Sequence, residues 1–403
     1  MRNGRTGIAL GNLSSVFAST VFSVLFATDL ILRTLYQSGK SPVLQVFADE
    51  LGASALFLGI IISVSTFTGV ILKPIIGWIS DIRGRLIWLM VGISIFALVP
   101  FFYHFVETPI QLFWVRFIHG FATAIYGPIT MAYVASINQS QAFSYFAWFG
   151  ISRQVSLIAG PLLGAALVSV VSPKTVYIII GLISFTAFIP TCFKRQSLIN
   201  NAESDKLSMG KFFSGLSQVF SNQWIFLVAL LEMQTKLAVY AMKAFLPILM
   251  LSNGASVFEA GLFLSFQEAS NAFVRPFSSA VTNRLGFLHS IAFGLISLAL
   301  GLIMISIFGL HWTIWIAAFL IGSGQAIFTP SAEGVTAKYA SINNMGLTFG
   351  AVGSLRNMGK ILGPIIAGLL ATIFSVKAMF MIVAMLPVIL AAILVYLPSH
   401  SVE

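Results

Sequence analysis

The sequence has few of the residues on which enzyme chemistry usually depends. Of 403 residues, one is cysteine, five are histidine, and only 8% are charged. A single cysteine, Cys192, excludes an internal disulfide and any site with several cysteine ligands. No serine–histidine–aspartate set, metal-ligand cluster or phosphate-binding glycine loop is apparent in the sequence. We therefore predict that the chain is not an enzyme, that it uses no cofactor or metal, and that it carries no ATP site of its own.

Apolar residues are correspondingly abundant, at 58% of the chain with a mean hydropathy of +0.96. Soluble domains carry about 25% charged residues, so this composition indicates a membrane protein. The apolar runs are too long and continuous for the alternating strands of an outer-membrane barrel. A span needs about 20 apolar residues, and twelve such stretches can be placed. The sequence thus predicts an all-α membrane protein. No cleavable signal peptide is evident in it, and we expect none.

The formal net charge of +10 is scattered along the chain, which is not the pattern of a nucleic-acid-binding protein. Cytoplasmic loops of membrane proteins are enriched in Lys and Arg. The loops on one side of the predicted spans hold ten basic residues: Arg2, Arg5, Arg83, Arg85, Lys194, Arg195, Lys206, Lys211, Arg284 and Lys338. Those assigned to the other side hold four: Lys40, Lys174, Lys243 and Lys377. We expect both termini to be cytoplasmic and the protein to lie in a bacterial inner or plasma membrane.

The sequence contains an internal repeat, with a nearly constant spacing between matching residues. Asp29 and Arg33 recur 203 positions later as Glu232 and Lys236. The same spacing relates Gly150, Arg153, Gly160 and Pro161 to Gly353, Arg356, Gly363 and Pro364, while Lys73 matches Arg275 and Gly84 matches Gly286 at 202. Such self-similarity indicates an internal duplication. It predicts a bundle of six helices over 1–193, a polar cytoplasmic linker over 194–222 and a second bundle of six over 223–403.

Ionisable residues inside the predicted spans point to a polar cavity between the two bundles. An acid and a base four residues apart share a helix face and can pair, as in Asp29 with Arg33 and in Glu232 with Lys236. Charged groups within spans usually face a water-filled cavity or one another. Eight basic residues against four acids in the spans predict an anionic or zwitterionic solute. The substrate-binding candidates are Arg33, Arg116, His119, Trp148, Arg153, Lys236, Arg356 and Lys360.

Three carboxylates are candidates for proton coupling: Asp29, Glu232 and Glu268. Burial favours the protonated carboxyl, and a neighbouring cation favours the carboxylate. A pair that separates when the cavity changes sides would therefore change its affinity for protons. Alternatives stay open: Asp29 could form a permanent structural ion pair, His119 could be a hydrogen-bonded core residue, and Lys73 and Arg275 could extend toward the membrane surface.

Two parallel six-helix repeats are the arrangement of major facilitator transporters, and three motifs carry a specific resemblance to that superfamily. Residues 77–85, Gly-Trp-Ile-Ser-Asp-Ile-Arg-Gly-Arg, resemble its signature between helices 2 and 3. Leu112, Arg116 and Gly120 resemble its helix 4 motif, and Ser156, Gly160, Pro161 and Gly164 resemble the helix 5 motif of drug/proton antiporters. Ile82, Leu86 and His119 depart from the usual residues.

The resemblance implies a gate that opens and closes as the bundles rock. Asp81 would be held at the start of the eleventh predicted span by the positive end of its helix dipole. Gly77, Gly84 and Arg85 would shape and charge the turn that contains Asp81. The pairs Gly160-Pro161 and Gly363-Pro364 would let the fifth and the eleventh of the twelve predicted spans approach their neighbours closely. A solvated turn and simple helix packing explain the same residues without gating.

These features together predict a secondary active transporter of a small organic solute, driven by protons and functional as a monomer. The solute would be anionic, zwitterionic or drug-like. The resemblance to antiporters favours export. Proton-coupled import of an organic anion and a lipid flippase on the same scaffold remain the alternatives.

Overall fold

A computed structural model of the chain describes residues 19–83, 85–137, 142–193, 221–308, 312–340 and 345–396. These residues are almost entirely helical, and no strand occurs among them. The N half contains α1 Thr20–Ser38, α2 Val43–Glu50, α3 Ala55–Arg83, α4 Arg85–Phe102, α5 Pro109–Ile137, α6 Ala142–Val168, α7 Pro173–Ser184 and α8 Phe188–Phe193. The C half contains α9 Gln223–Ser252, α10 Val257–Val274, α11 Ser278–Phe308, α12 Thr313–Tyr339, α13 Met345–Ile373 and α14 Val376–Tyr396.

Local sequence explains where several helices begin and end. The Asn222 side chain accepts hydrogen bonds from the amides of Trp224 and Ile225 and so caps α9. Ser256 and Glu259 form a capping box at the start of α10. Gly286 interrupts α11 with a φ of 76°, which a glycine adopts without strain. The chain therefore bends at Gly286, whereas the matching Gly84 lies outside the described residues.

Eight stretches of the described residues are long and apolar enough to cross a membrane. One of them, Val257–Ile307, is 51 residues long, which is more than twice the length that a single span needs. Three other helices, α1, α5 and α13, have 19, 29 and 29 residues but a more polar composition. The all-α membrane fold is thus confirmed, and the count of twelve spans remains a prediction.

Two details of the helix plan differ from what the sequence predicts. The apolar stretch from Ser14 to Val43 predicts one continuous first helix, but α1 ends at Ser38 and the short helix α2 follows the turn. Lys243 was counted among the loop residues, but it lies inside α9. The predicted linker 194–222 lies outside the described residues except for Ser221 and Asn222.

Among the described residues, the hydrophobic packing that the two halves share lies at one end. We call the end where α1 stops and α3 starts the closed end, and the opposite end the open end. At the closed end, one hydrophobic cluster draws residues from both halves, including Phe47 and Tyr177 of the N half and Phe245 and Phe263 of the C half. Toward the open end, the N half and the C half have separate clusters. A cavity between the halves follows from this arrangement.

Candidate functional site

The cavity has a volume of about 560 Å³ and lies between the halves, on the open-end side of their contact. Its wall is mainly polar, although it is built from long apolar helices. Eight cations line it: Arg33, Lys73, Arg153, Lys236, Lys243, Arg275, Arg356 and Lys360. The lining also includes the carboxylates Glu268 and Glu333.

Asp29 is fully buried behind the N-half wall and is the centre of a compact polar group. Arg33, one turn further along α1, places its Nε 2.7 and 2.8 Å from the two carboxylate oxygens. Ser152 of α6 donates a third hydrogen bond, of 2.9 Å, to Oδ2. The predicted pair within one helix is therefore present. The neighbouring Arg153 lines the cavity instead of binding this carboxylate.

The matching carboxylate of the C half is paired differently. Glu232 is fully buried, and Arg356 of α13 places its Nε 3.0 Å from Glu232 Oε2. Arg356 also lies 3.7 Å from Glu333 Oε1. The expected partner, Lys236, forms no ion pair with Glu232 in the described part of the chain, so the predicted Glu232–Lys236 pair is wrong. Helix spacing allowed that pair, but in the folded chain the Arg356 guanidinium from α13 lies against the Glu232 carboxylate instead.

A third ion pair lies where the halves touch. Lys243 Nζ is 2.5 Å from Glu268 Oε1. Both residues are also held through their backbone, because Gln45 donates to the carbonyl of Lys243 and Gln154 donates to the carbonyl of Glu268, each at 3.0 Å. Since both glutamines belong to the N half, the two C-half residues of this ion pair are hydrogen-bonded directly to the opposite bundle.

Lysines surround one aromatic ring on the C-half wall. The ammonium groups of Lys40, Lys243 and Lys360 lie 5.3, 5.9 and 5.9 Å from the centroid of the Tyr240 ring. Lys360 also donates a 2.9 Å hydrogen bond to Asn357. Ring faces attract cations, so Tyr240 helps to hold these lysines together.

The lining carries a clear excess of positive charge. Eight cations stand against four carboxylates, two in the wall and two buried in ion pairs with Arg33 and Arg356, which leaves a formal excess of four. Among the described residues, five of these cations form no ion pair with a carboxylate: Lys73, Arg153, Lys236, Arg275 and Lys360. The site is therefore suited to a negatively charged ligand.

Five of the eight predicted substrate-binding residues line the cavity, and Arg116, His119 and Trp148 do not. Arg116 is 1% exposed and donates a 2.8 Å hydrogen bond to Ser65. His119 Nδ1 lies 3.1 Å from the Tyr103 hydroxyl. Helix spacing could not distinguish a residue facing the cavity from one facing the interior of its own bundle, which is where these two side chains lie.

Trp148 packs inside the N half as well. Its ring meets that of Phe26 edge-on, with centroids 6.4 Å apart, and it borders the hydrophobic cluster of that half. It therefore belongs to the packing between α1 and α6 in this structure.

Replacing Arg116 with leucine is expected to lower stability and to leave the KM for substrate within about twofold of the wild-type value. The change removes the hydrogen bond from Arg116 to Ser65, and a hydrogen bond to a charged group contributes about 1.5–3 kcal/mol. Ser65 keeps the hydrogen bond from Tyr36. Thermal unfolding of the purified protein and transport kinetics test this together. A large rise in KM with unchanged stability would return Arg116 to the substrate site.

Prolines and glycines hold the halves together at the closed end. The carbonyl of Pro161 in α6 contacts Gly261 in α10, and the carbonyl of Pro364 in α13 contacts Gly59 in α3. In addition, Ser63 donates a 2.6 Å hydrogen bond to the carbonyl of Ile361. The two contacts are related by the internal repeat, since Gly59 and Gly261 are 202 residues apart. The same spacing would have identified these two glycines from the sequence.

The other gating candidates occupy different places. Gly160 packs against Gln37, and Gly363 packs against Leu237, so each serves contact within its own half. Gly77 and Asp81 lie within α3 with their surroundings outside the described residues, and Gly84 is outside them altogether. Arg85 begins α4 and is buried, with its Nη1 3.4 Å from the carbonyl of Ala132.

Similarity to known proteins points in one direction. The family model described as Major Facilitator Superfamily matches residues 8–242 and again residues 235–403. The multidrug resistance protein MdtG of Proteus mirabilis is 22% identical over 84% of this chain and 86% of its own length. The quinolone resistance protein NorA of Staphylococcus aureus is 23% identical over 82% of this chain and 84% of its own length.

Solved structures show the same fold. The crystal structure of the nucleoside transporter NupG superposes with a TM-score of 0.74 at 17% identity, over 93% of this chain and 98% of that one. A bacterial homolog of the human lysosomal transporter Spinster gives a TM-score of 0.74 at 13% identity, over 96% of this chain and 97% of that one. The arrangement of helices is thus shared across transporters with very different sequences.

Proposed function

The chain belongs to the Major Facilitator Superfamily and is a multi-pass membrane transporter, and from that premise we propose that it moves a small organic anion or zwitterion by proton-coupled alternating access. The observation that carries the proposal is the excess of four positive charges on the cavity wall. Unpaired cations attract an anionic solute and repel a cationic one. A wall this polar also suits a small solute better than the acyl chains of a lipid.

The open end is proposed to face the cytoplasm. Among the described residues, Arg83, Arg85 and Lys338 lie at this end, whereas Lys174 and Lys377 lie at the closed end. With the basic residues of the sequence outside the described ranges, this distribution follows the positive-inside rule. The structure then corresponds to an inward-open state, and transport requires the closed-end contacts to separate.

Asp29, Glu232 and Glu268 are proposed to carry the protons. Each is an acid held against a cation in or beside the cavity wall, through Arg33, Arg356 and Lys243 respectively. Protonation of a carboxylate weakens such a pair, so proton binding and substrate binding at the released cation become linked. Export is favoured because relatives are named for multidrug and quinolone resistance.

Transport in membrane vesicles of both orientations tests the proposal. With an imposed pH gradient, organic carboxylates are expected to accumulate, and one pH unit supports up to about tenfold accumulation per coupled proton. Vesicles without the protein are the control, and the orientation that accumulates substrate decides between export and import. Transport of the lipophilic cation tetraphenylphosphonium without transport of any carboxylate would contradict the proposal.

A further inference from the structure

Each half of the cavity contains the same three charged positions. The N-half triad consists of Asp29, Arg33 and Arg153, and the C-half triad consists of Glu232, Lys236 and Arg356. Every member of one triad lies 203 residues from its counterpart in the other. Each triad thus holds one acid and two bases, so that the acid of a triad can neutralise only one of its two bases.

The two halves differ in which base of the triad has no carboxylate partner. In the N half, Asp29 binds Arg33 of its own helix, which leaves Arg153 of α6 in the cavity wall. In the C half, Glu232 binds Arg356 of α13, which leaves Lys236 of α9 in the wall. Neither Arg153 nor Lys236 has a carboxylate partner among the described residues. The result is one free cation on each side of the same cavity.

Further cations without a carboxylate partner add positive charge to both sides of the cavity. Lys73 and Arg275, which match at a spacing of 202, line the wall of the N half and the C half respectively. Lys360 adds a third free cation to the C half, held by Asn357 and beside Tyr240. The positive charge is therefore divided between the two halves instead of being concentrated in one.

This division determines how much negative charge a bound substrate should bring. Alternating access passes through a state in which the cavity is closed to water at both ends, and uncompensated charges in such surroundings are costly. A substrate with one negative charge would reduce the excess from four to three and could pair with a cation of one half only. A substrate with two separated anionic groups could contact both halves as they close.

We infer that the substrate is a two-headed organic anion, with one anionic group bound by Arg153 of the N half and the other by Lys236 of the C half. The inference rests on the proposed function and narrows its substrate class. Arg153 can bind a carboxylate through two parallel N–H bonds, and Lys236 provides a compact point charge. Because the two residues lie on opposite halves, such a ligand links its own binding to the closure of the cavity.

Ligand binding to the purified protein tests the inference, with the shift of the thermal unfolding midpoint as the readout. The probes are succinate and glutarate, which carry two carboxylates, and succinamate and butyrate, which carry one. Succinate and succinamate have the same length and differ in one charge. The dicarboxylates are expected to bind about tenfold or more tightly than the monocarboxylates.

The variants Arg153→Gln and Lys236→Gln should each weaken dicarboxylate binding by about tenfold or more and monocarboxylate binding by less than about threefold. The unaltered half still holds a single carboxylate, which is why the second loss is small. Lys174→Gln, at the start of α7 and outside the cavity, is the matched control and should change neither affinity. Arg153→Lys should recover part of the dicarboxylate affinity.

Equal binding of succinate and succinamate by the wild-type protein would overturn the inference and leave the proposed transport of organic anions standing. Equal losses for both ligand classes in the two variants would also overturn it. If no carboxylate binds while tetraphenylphosphonium does, the proposed function fails with it. Should a variant not fold, the comparison of ligands on the wild-type protein still decides.

Discussion

Asparagine in place of Asp29 is expected to reduce proton-driven accumulation of substrate to the level of vesicles without the protein. Asparagine has nearly the same shape as aspartate and can still accept the hydrogen bond from Ser152, but it carries neither the charge nor the titratable proton. Arg33 then loses its carboxylate, and the formal excess in the cavity rises from four to five.

The variant should nevertheless fold. Arg33 is 26% exposed to the cavity, so the loss is smaller than the 3–5 kcal/mol for breaking a fully buried pair. A charge-assisted hydrogen bond contributes about 1.5–3 kcal/mol, and we expect a destabilisation of about 2 kcal/mol. Thermal unfolding of the purified variant measures this cost independently of transport.

Two transport assays in proteoliposomes separate coupling from substrate movement. Accumulation driven by a pH gradient should be lost, whereas exchange of labelled for unlabelled substrate at equal pH should persist. Asp49→Asn is the matched control, because Asp49 lies on α2 near the closed end and outside the cavity. Normal pH-driven accumulation by the Asp29 variant would remove this residue from the coupling mechanism and leave Glu232 and Glu268 as candidates.

A single methyl group at Gly59 or Gly261 is expected to shift the protein away from the conformation described here. A β-carbon at Gly261 would lie 2.7 Å from the carbonyl oxygen of Pro161, and one at Gly59 would lie 2.7 Å from the carbonyl carbon of Pro364 and closer still to its oxygen. These neighbours are backbone atoms, which cannot rotate away. Overpacking typically costs about 1–3 kcal/mol, which corresponds to a population shift of about 5- to 150-fold.

The shift can be measured as a distance across the closed end. Spin labels at Lys174→Cys in the N half and Ser252→Cys in the C half, in a Cys192→Ser background, report their separation by pulsed electron resonance. Gly59→Ala and Gly261→Ala should each enrich the longer distance. Gly150→Ala and Gly350→Ala are matched controls, because a β-carbon at either position meets no atom within 4 Å. An unchanged distance distribution in both test variants would show that these contacts do not hold the closed end.

The internal repeat accounts for much of what could be predicted about the site. It identified Arg153 and Arg356 as counterparts, and likewise Arg33 and Lys236, and all four residues line the cavity. It could not decide which base each acid selects, because that choice depends on how α6 and α13 are rotated against α1 and α9. The prediction was therefore right for Asp29 and wrong for Glu232.

Helix spacing also failed where a residue could face two polar environments. Arg116 looked like a cavity residue because an isolated charge in a span needs polar surroundings. The N half provides such surroundings internally, through Ser65 and the Tyr36 ring. Lys243 shows the opposite error, because it was assigned to a loop whereas α9 extends to Ser252 and places it in the cavity wall.

The sequence by itself determined the membrane environment, the helical fold, the duplication and the superfamily, because each depends on composition, period or spacing along the chain. The tertiary structure decided which cations remain free, which end is closed, and that Gly59 and Gly261, unlike Gly160 and Gly363, contact the opposite half. These features depend on the rotation and approach of helices distant in sequence. Spacing along one helix fixes which residues share a face, but only packing fixes what that face meets.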